Sequence, residues 1–410
     1  MNKVVKQMND KLSKEKLQKI LEDQLARANG IFRLKPAWVA RNSFPAGQRL
    51  GLKEDQYFVG DRGWISERWL GSTTKADNQI GPFDEGLSYL NLPIKEEITL
   101  KEAIEAIPEL LMGAAYAKSH QGLGRLPKIY DYCERISFHY HQQKKDAALV
   151  GRNPKEEAYF FPAGVALGAH PETFFGVHPY IADPKNREIL LPHLVEWKDD
   201  QILKHSRAYH TFHEDGFHIP AGIPHAPGTA LTLELQEDSD VFAVLQAMLG
   251  GKLVSKELLY KDIRKEDREK FGERIILDQI DWKLSGDPYF YENRHTPPQI
   301  IPQSFQPGGE EHWIFYNTSK FSGKKMVVHP GMQYQSIDAG VYTLLVWEGV
   351  GLFDGVQVTR GEFDQEELFV THEKATQLIK VHNTGKTPLV IFKFFGPDIN
   401  LDVPMLKKAF

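Results

Sequence analysis

A mainly β chain with helical additions, arranged as two antiparallel barrels or jelly rolls, is what three features of the sequence predict. Short β-type runs punctuated by Gly, Pro, Asn and Asp begin near residue 126. The same grammar resumes after a Pro-rich break at residues 295–309. Helical periodicity is confined to a few stretches outside those runs. Short strands joined by tight turns in two separate regions suit small closed or double-sheet β architectures, and the two regions read as two versions of one design.

Taken in chain order, residues 13–29 place Leu17, Ile20, Leu21, Leu25 and Ala28 on one helical face, with Gly30 where a C-cap belongs. An amphipathic helix packed on its own domain is predicted for residues 1–30. Thr99-Leu-Lys-Glu102 is a capping box, and Pro108 interrupts the helix it opens, so two short helices are expected before residue 120. KIYDY, ISFHYH, AYFF, GFHIP and ALTLEL read as strands, followed by the charged helical stretch SKELLYKDIRKEDREKFGERI. The segment 295–309 holds four prolines and two glycines and reads as a linker. KKMVVHPG, YTLLVWEGVGLFDG, ELFVTHE, QLIKVHNTGKTP and LVIFKFFG supply the second β region. The expected division is a helix at 1–30, a larger unit at 31–294, the linker at 295–309 and a second β unit at 310–410.

Composition narrows the function classes. The 410 residues are 41% hydrophobic and 26% charged, ordinary globular values that argue against collagen-like, coiled-coil and disordered chains. A net charge of −5 with no basic run argues against a nucleic-acid partner. One cysteine, Cys133, permits no internal disulfide. No stretch reads as a signal peptide or membrane span, so a cytoplasmic protein without membrane contact is expected.

Histidine carries the chemical signal. Of 16 histidines, ten fall between residues 139 and 225, where even spreading gives about three. His139 and His141 in ISFHYH are two apart on a strand and project from one face together with Ser137. Glu156 and Glu157 open another strand, and His225 sits in the turn HIPAGIPHAP. Three imidazoles and one carboxylate suit zinc or another divalent first-row ion, with positions left for water or substrate. His205, His210, His213 and His218 read as ordinary surface or core residues. In the second β region His329, His372 and His382 form no ligand pattern, and Glu348 reads as a strand-end carboxylate, so no metal is expected there.

Laid out in this way, the chain resembles the type I mannose-6-phosphate isomerases, metal enzymes of the cupin superfamily, as a divergent member. LKPAWVARNSFPAGQRL and ISERWLGST, with Glu67, Trp69 and Ser72, are similar to the family's opening segments. Lys128 stands thirteen residues before His141, and Lys155 with Glu157 matches the K-x-E element. PAGIPHA matches the ligand turn with His225, and Glu234 nine residues on matches the family glutamate, followed by Ser239 and Asp240. The resemblance implies two cupin-like domains, the second degenerate, and a single divalent ion on His139, His141, Glu157 and His225. Zinc is the first choice, with iron, manganese or nickel as alternatives.

Two positions depart from the family. His139 stands where Gln is usual, and Val244 stands where the family has an arginine ten residues beyond its glutamate, with Gln246 the nearest polar substitute. The first keeps the site within the wider three-His, one-Glu pattern. The second removes a guanidinium suited to phosphate, so the substrate is read as a sugar or a sugar phosphate. Lys252 resembles the family's following lysine across a two-residue insertion.

The implied activity is metal-dependent aldose–ketose isomerisation through an enediolate. Glu234 and Lys155 are the expected catalytic residues, and Lys128, Ser137 and Lys252 the expected substrate contacts. A non-catalytic carbohydrate-binding cupin and an iron-dependent cupin dioxygenase are the alternatives. A homodimer is left open.

Overall fold

The computed structural model describes residues 13–42 and 45–409. Residues 1–12 of the expected N-terminal segment lie outside the described residues. The helix itself runs Lys14–Ala28, with the Ser13 hydroxyl accepting the Lys16 amide at its start. It ends one residue earlier than expected because Asn29 takes the left-handed conformation (φ 48°), which Asn tolerates, and Gly30 follows at φ 76°. Leu21 is buried, and Leu17, Ile20, Leu25 and Ala28 pack on the same apolar core.

The capping box forms as expected. The Thr99 hydroxyl accepts the Glu102 amide at 3.1 Å, and the Glu102 carboxylate accepts the Thr99 amide at 2.9 Å. Pro108 begins a second helix, Pro108–Met112, but Gly113 at φ 84° divides it from a third, Ala114–Ser119. A Thr99→Ala variant is expected to lose about 1 kcal/mol of stability. Urea unfolding should show this as a lower midpoint with an unchanged slope.

Among the described residues the strands build four larger sheets and one small hairpin. A five-stranded sheet carries His139–Tyr140 and His225–Ala226, and a six-stranded sheet carries Leu126–Tyr130, Glu157–Phe160 and Thr232–Gln236. An eight-stranded sheet and a four-stranded sheet contain most strands after residue 299. The expectation of barrels is corrected here. The sheets remain open, ending in unpaired edge strands, because strands as short as His139–Tyr140 and His225–Ala226 cannot carry a ladder round a closed circuit.

The order of layers follows from period-two alternation. On the six-stranded sheet Ile129, Ala158, Phe160, Leu233 and Leu235 join Phe315, Phe392 and Phe394 of the eight-stranded sheet in one core. The opposite face presents Lys128, Tyr159 and Glu234, in register across three strands, toward the histidine-bearing sheet. Buried on both faces, this sheet is the wall that positions the site. The other face of the eight-stranded sheet contributes Met326, Leu344 and Ile391 to a further core.

Two features tie the halves of the chain together. Ile31–Lys35 pairs with Glu367–Val370, so the first strand belongs to the eight-stranded sheet. Arg68, almost fully buried between the Trp38 and Phe363 rings, pairs with Glu366 and, at 2.9 Å, with Glu367. Within the segment 295–309, Gln299–Ile300 pairs with Trp313 and His312. A buried ion-pair network that includes the Ser336 hydroxyl lies in this half: Lys393 Nζ is 2.8 Å from both Glu311 and Asp338, and Lys324 Nζ 2.7 Å from Asp338.

Candidate metal centre

His139 pairs across the five-stranded sheet with His225 on one side and with Val244 on the other. Directly opposed residues present their side chains on one face, and His141, two residues along, shares it. The three rings therefore meet, with centroids 4.3 Å apart for His139–His225, 4.9 Å for His139–His141 and 5.1 Å for His141–His225. One nitrogen from each lies within 4.8 Å of the others, and all three residues are buried. His139 is the most exposed of them, at 8%. It lies next to Phe242, whose ring is covered by Lys261 Nζ at 4.1 Å.

The hydrogen bonds fix the tautomers. Nδ1 of His139 lies 2.7 Å from the Ser137 carbonyl, Nδ1 of His141 2.7 Å from the Val241 carbonyl, and Nδ1 of His225 2.9 Å from the Ile223 carbonyl. A carbonyl only accepts, so each Nδ1 carries the hydrogen and each Nε2 of a neutral ring holds a bare lone pair. Burial and the neighbouring imidazoles hold His139 well below the usual histidine range, and burial with Lys155 brings His141 down to about 3.

Glu157 enters from the facing sheet. Its carboxylate oxygens lie 3.0 Å from His141 Nε2 and 2.9 Å from His225 Nε2. Those contacts lack hydrogen-bond alignment, and both Nε2 atoms and Glu157 Oε2 are buried without a hydrogen-bond partner. Lone pairs converging on a carboxylate at that distance repel unless a cation stands among them, and buried polar groups left unpaired are costly. The donor set of three imidazoles and one carboxylate, each ring oriented by a carbonyl behind it, fits a divalent first-row ion. Tyr159 steadies the carboxylate by donating its hydroxyl at 2.5 Å to Glu157 Oε1, the oxygen beside His225. Burial opposes the charge on Glu157, but the Lys155 ammonium favours it, and the group is held well below the carboxylate range.

Beside this cluster, Glu234 sits directly across from Lys128 in the ladder. Lys128 Nζ is 3.1 Å from Glu234 Oε1, and Lys155 Nζ stands between the carboxylates, 3.1 Å from Glu157 and 3.6 Å from Glu234. Burial and the charge of Glu157 push the Glu234 carboxyl up to about 7, even with two ammonium groups opposing them. Behind Lys128, Glu67 accepts from Arg41 (2.8 Å), Trp69 Nε1 (2.7 Å) and the Tyr132 hydroxyl (2.6 Å).

The remaining sequence candidates are placed differently. Ser137 is buried and contributes its backbone carbonyl to His139. Lys252 is exposed in the hairpin strand Lys252–Leu253, paired with Met248–Leu249, and no ion pair or hydrogen bond among the described residues links it to the buried cluster. Glu156 points to the other face of its strand, where it accepts from Thr318 and, at 2.9 Å, from His218 Nε2. Tyr159 was not anticipated. Its place two residues beyond Glu157 in EAYF, on the same face, was the available signal.

Solved structures of the same fold include a protein assigned as a mannosephosphate isomerase from Archaeoglobus fulgidus. It has 15% identity and a TM-score of 0.59, covering 90% of this chain and 97% of that one. The mannose 6-phosphate isomerase of Bacillus subtilis is similar at 16% identity and a TM-score of 0.58, covering 89% of this chain and 99% of that one. A zinc-bound mannose 6-phosphate isomerase is similar at 12% identity and a TM-score of 0.58, covering 90% and 100%. No family model matches the chain, and no curated protein is similar to it in sequence. At these identities the likeness establishes the fold.

Proposed function

We propose that the chain is a metal-dependent aldose–ketose isomerase of the mannose-6-phosphate isomerase type, acting on a sugar or sugar phosphate. The observation that carries this reading is the convergence of three bare Nε2 atoms and Glu157 beside a second buried carboxylate, Glu234, which is held near neutrality. His139, His141, Glu157 and His225 would hold the ion, zinc first among the candidates. When bound, such an ion polarises a sugar oxygen and stabilises negative charge developing on it.

The chain's own residues supply the proton chemistry. Glu234, as carboxylate, takes the proton from C2 of the aldose and returns it to C1, a role suited to a group poised near working pH. Lys155, within reach of both carboxylates, shares the transfer between the two substrate oxygens. Lys128 orients Glu234 and faces the polar end of the substrate. Ser137 and Lys252 keep the substrate-contact assignment that the family resemblance gives them.

Incubation of the metal-loaded chain in heavy water with a panel of free and phosphorylated aldoses tests this reading. At least one sugar should acquire deuterium at C2 while ketose accumulates. Sugar binding without exchange on any member would instead favour a carbohydrate-binding protein, to which Val244 beside His139 in place of a family arginine already points. Oxygen consumption with bound iron would favour a dioxygenase.

A further inference from the structure

The proposed centre uses three of the ten histidines between residues 139 and 225. A second group gathers in the helical region 178–205. His193 lies in the helix Leu191–Glu196 and His205 ends the 3-10 turn Gln201–His205. Their Nε2 atoms face each other at 3.3 Å.

The opposite ring nitrogens are backed by oxygen. His193 Nδ1 is 3.9 Å from the Asp199 carboxylate, and His205 Nδ1 is 3.5 Å from the Tyr180 hydroxyl. A hydrogen on each Nδ1 leaves both Nε2 lone pairs pointing into the same gap. Two nitrogens bonded at about 2.0–2.1 Å to a tetrahedral ion are separated by roughly 3.3 Å, so the gap has the width of one tetrahedral edge. At 3.9 Å the Asp199 carboxylate lies beyond hydrogen-bond distance and acts on His193 as a nearby negative charge. Burial, with neighbouring positive groups, holds both imidazoles below the usual histidine range. His205 is 6% exposed, whereas the His193 side chain is 19% exposed, which leaves a solvent side for water ligands.

We infer that His193 and His205 form a second site for a divalent first-row ion of the zinc, nickel or copper type, separate from the His139 cluster. Its position indicates its effect. The helix and the turn it joins carry Leu194 and Ile202, which pack with Ile181, Leu190 and Trp197 into the same core as Phe138 and Tyr140 of the histidine-bearing sheet. An ion on the pair therefore ties the helix Leu191–Glu196 to the turn Gln201–His205, within the helical region that packs on that core. Of the neighbouring ammonium groups, Lys198 is engaged by Glu196, and Lys204 is the one that acts on both imidazoles.

The test is equilibrium dialysis of the full chain against zinc, with metal counted per chain, on wild type, His193→Gln, His205→Gln and His141→Ala. Wild type should hold two ions, each of the first two variants one, and His141→Ala one, retained on the His193 pair. Zinc should also raise the unfolding temperature of His141→Ala but leave that of a His141→Ala, His193→Gln double variant unchanged. The readout does not involve catalysis, so it stands apart from the proposed isomerase activity. A wild-type count that His193→Gln and His205→Gln leave unaltered would overturn the inference and reduce the pair to a hydrogen bond between neutral rings. A wild-type count of one, lost entirely in His141→Ala, would do the same.

Discussion

Replacing His225 with alanine is expected to abolish stoichiometric metal at the His139 cluster and to lower C2-proton exchange by about a thousandfold. His225 is fully buried and paired between His139 and Phe175, so alanine there removes one of the three converging imidazoles. The variant loses one bare Nε2 and leaves Glu157 with a single imidazole contact. Stripping the wild type with a chelator should give the same loss, reversed by added zinc. The variant should not recover at the same zinc concentration. Full exchange activity in His225→Ala would contradict the role assigned to the ion.

Glu234→Gln separates proton transfer from metal binding. The substitution keeps the shape and removes the base, so the exchange rate should fall by about 10²–10⁴ while one ion per chain remains on the cluster. The pH dependence supplies a second signature. With its carboxyl at about 7, Glu234 is protonated on the acid side of that value. The protonated form cannot accept a proton, so the wild-type rate should decline as pH is lowered through neutrality. The residual activity of Glu234→Gln should lack that decline. Were Glu234 only a strand partner of Lys128, the variant would keep both the rate and the profile.

How much of this was legible in the chain depends on the range of the interaction. Period-two alternation is local, so the shared face of His139 and His141 could be read directly, whereas the choice of Glu157 over Glu156 came from the K-x-E resemblance. The helix caps were equally local, apart from the shift from Gly30 to Asn29, where Asn was able to adopt the left-handed turn itself. Pairings between distant segments left no such trace. Nothing in IFRLK announces that it joins Glu367–Val370, and the open edges of the sheets depend on how few residues pair in each strand, which composition does not encode. The Tyr159 hydroxyl and the three carbonyls behind the histidines were invisible for a related reason: backbone acceptors have no sequence signature. The facing of His193 and His205 depends on how a helix and a turn pack, so residue spacing alone could not distinguish that pair from surface histidines.

The claim on which the rest depends is that one cation sits among four side chains from two facing sheets. Anomalous diffraction at the zinc edge from crystals of the zinc-loaded chain measures this directly. The account predicts a strong peak about 2.0–2.2 Å from Nε2 of His139, His141 and His225 and from a carboxylate oxygen of Glu157. No peak among those four groups, or a peak that leaves Glu157 or His225 uncoordinated, would contradict it.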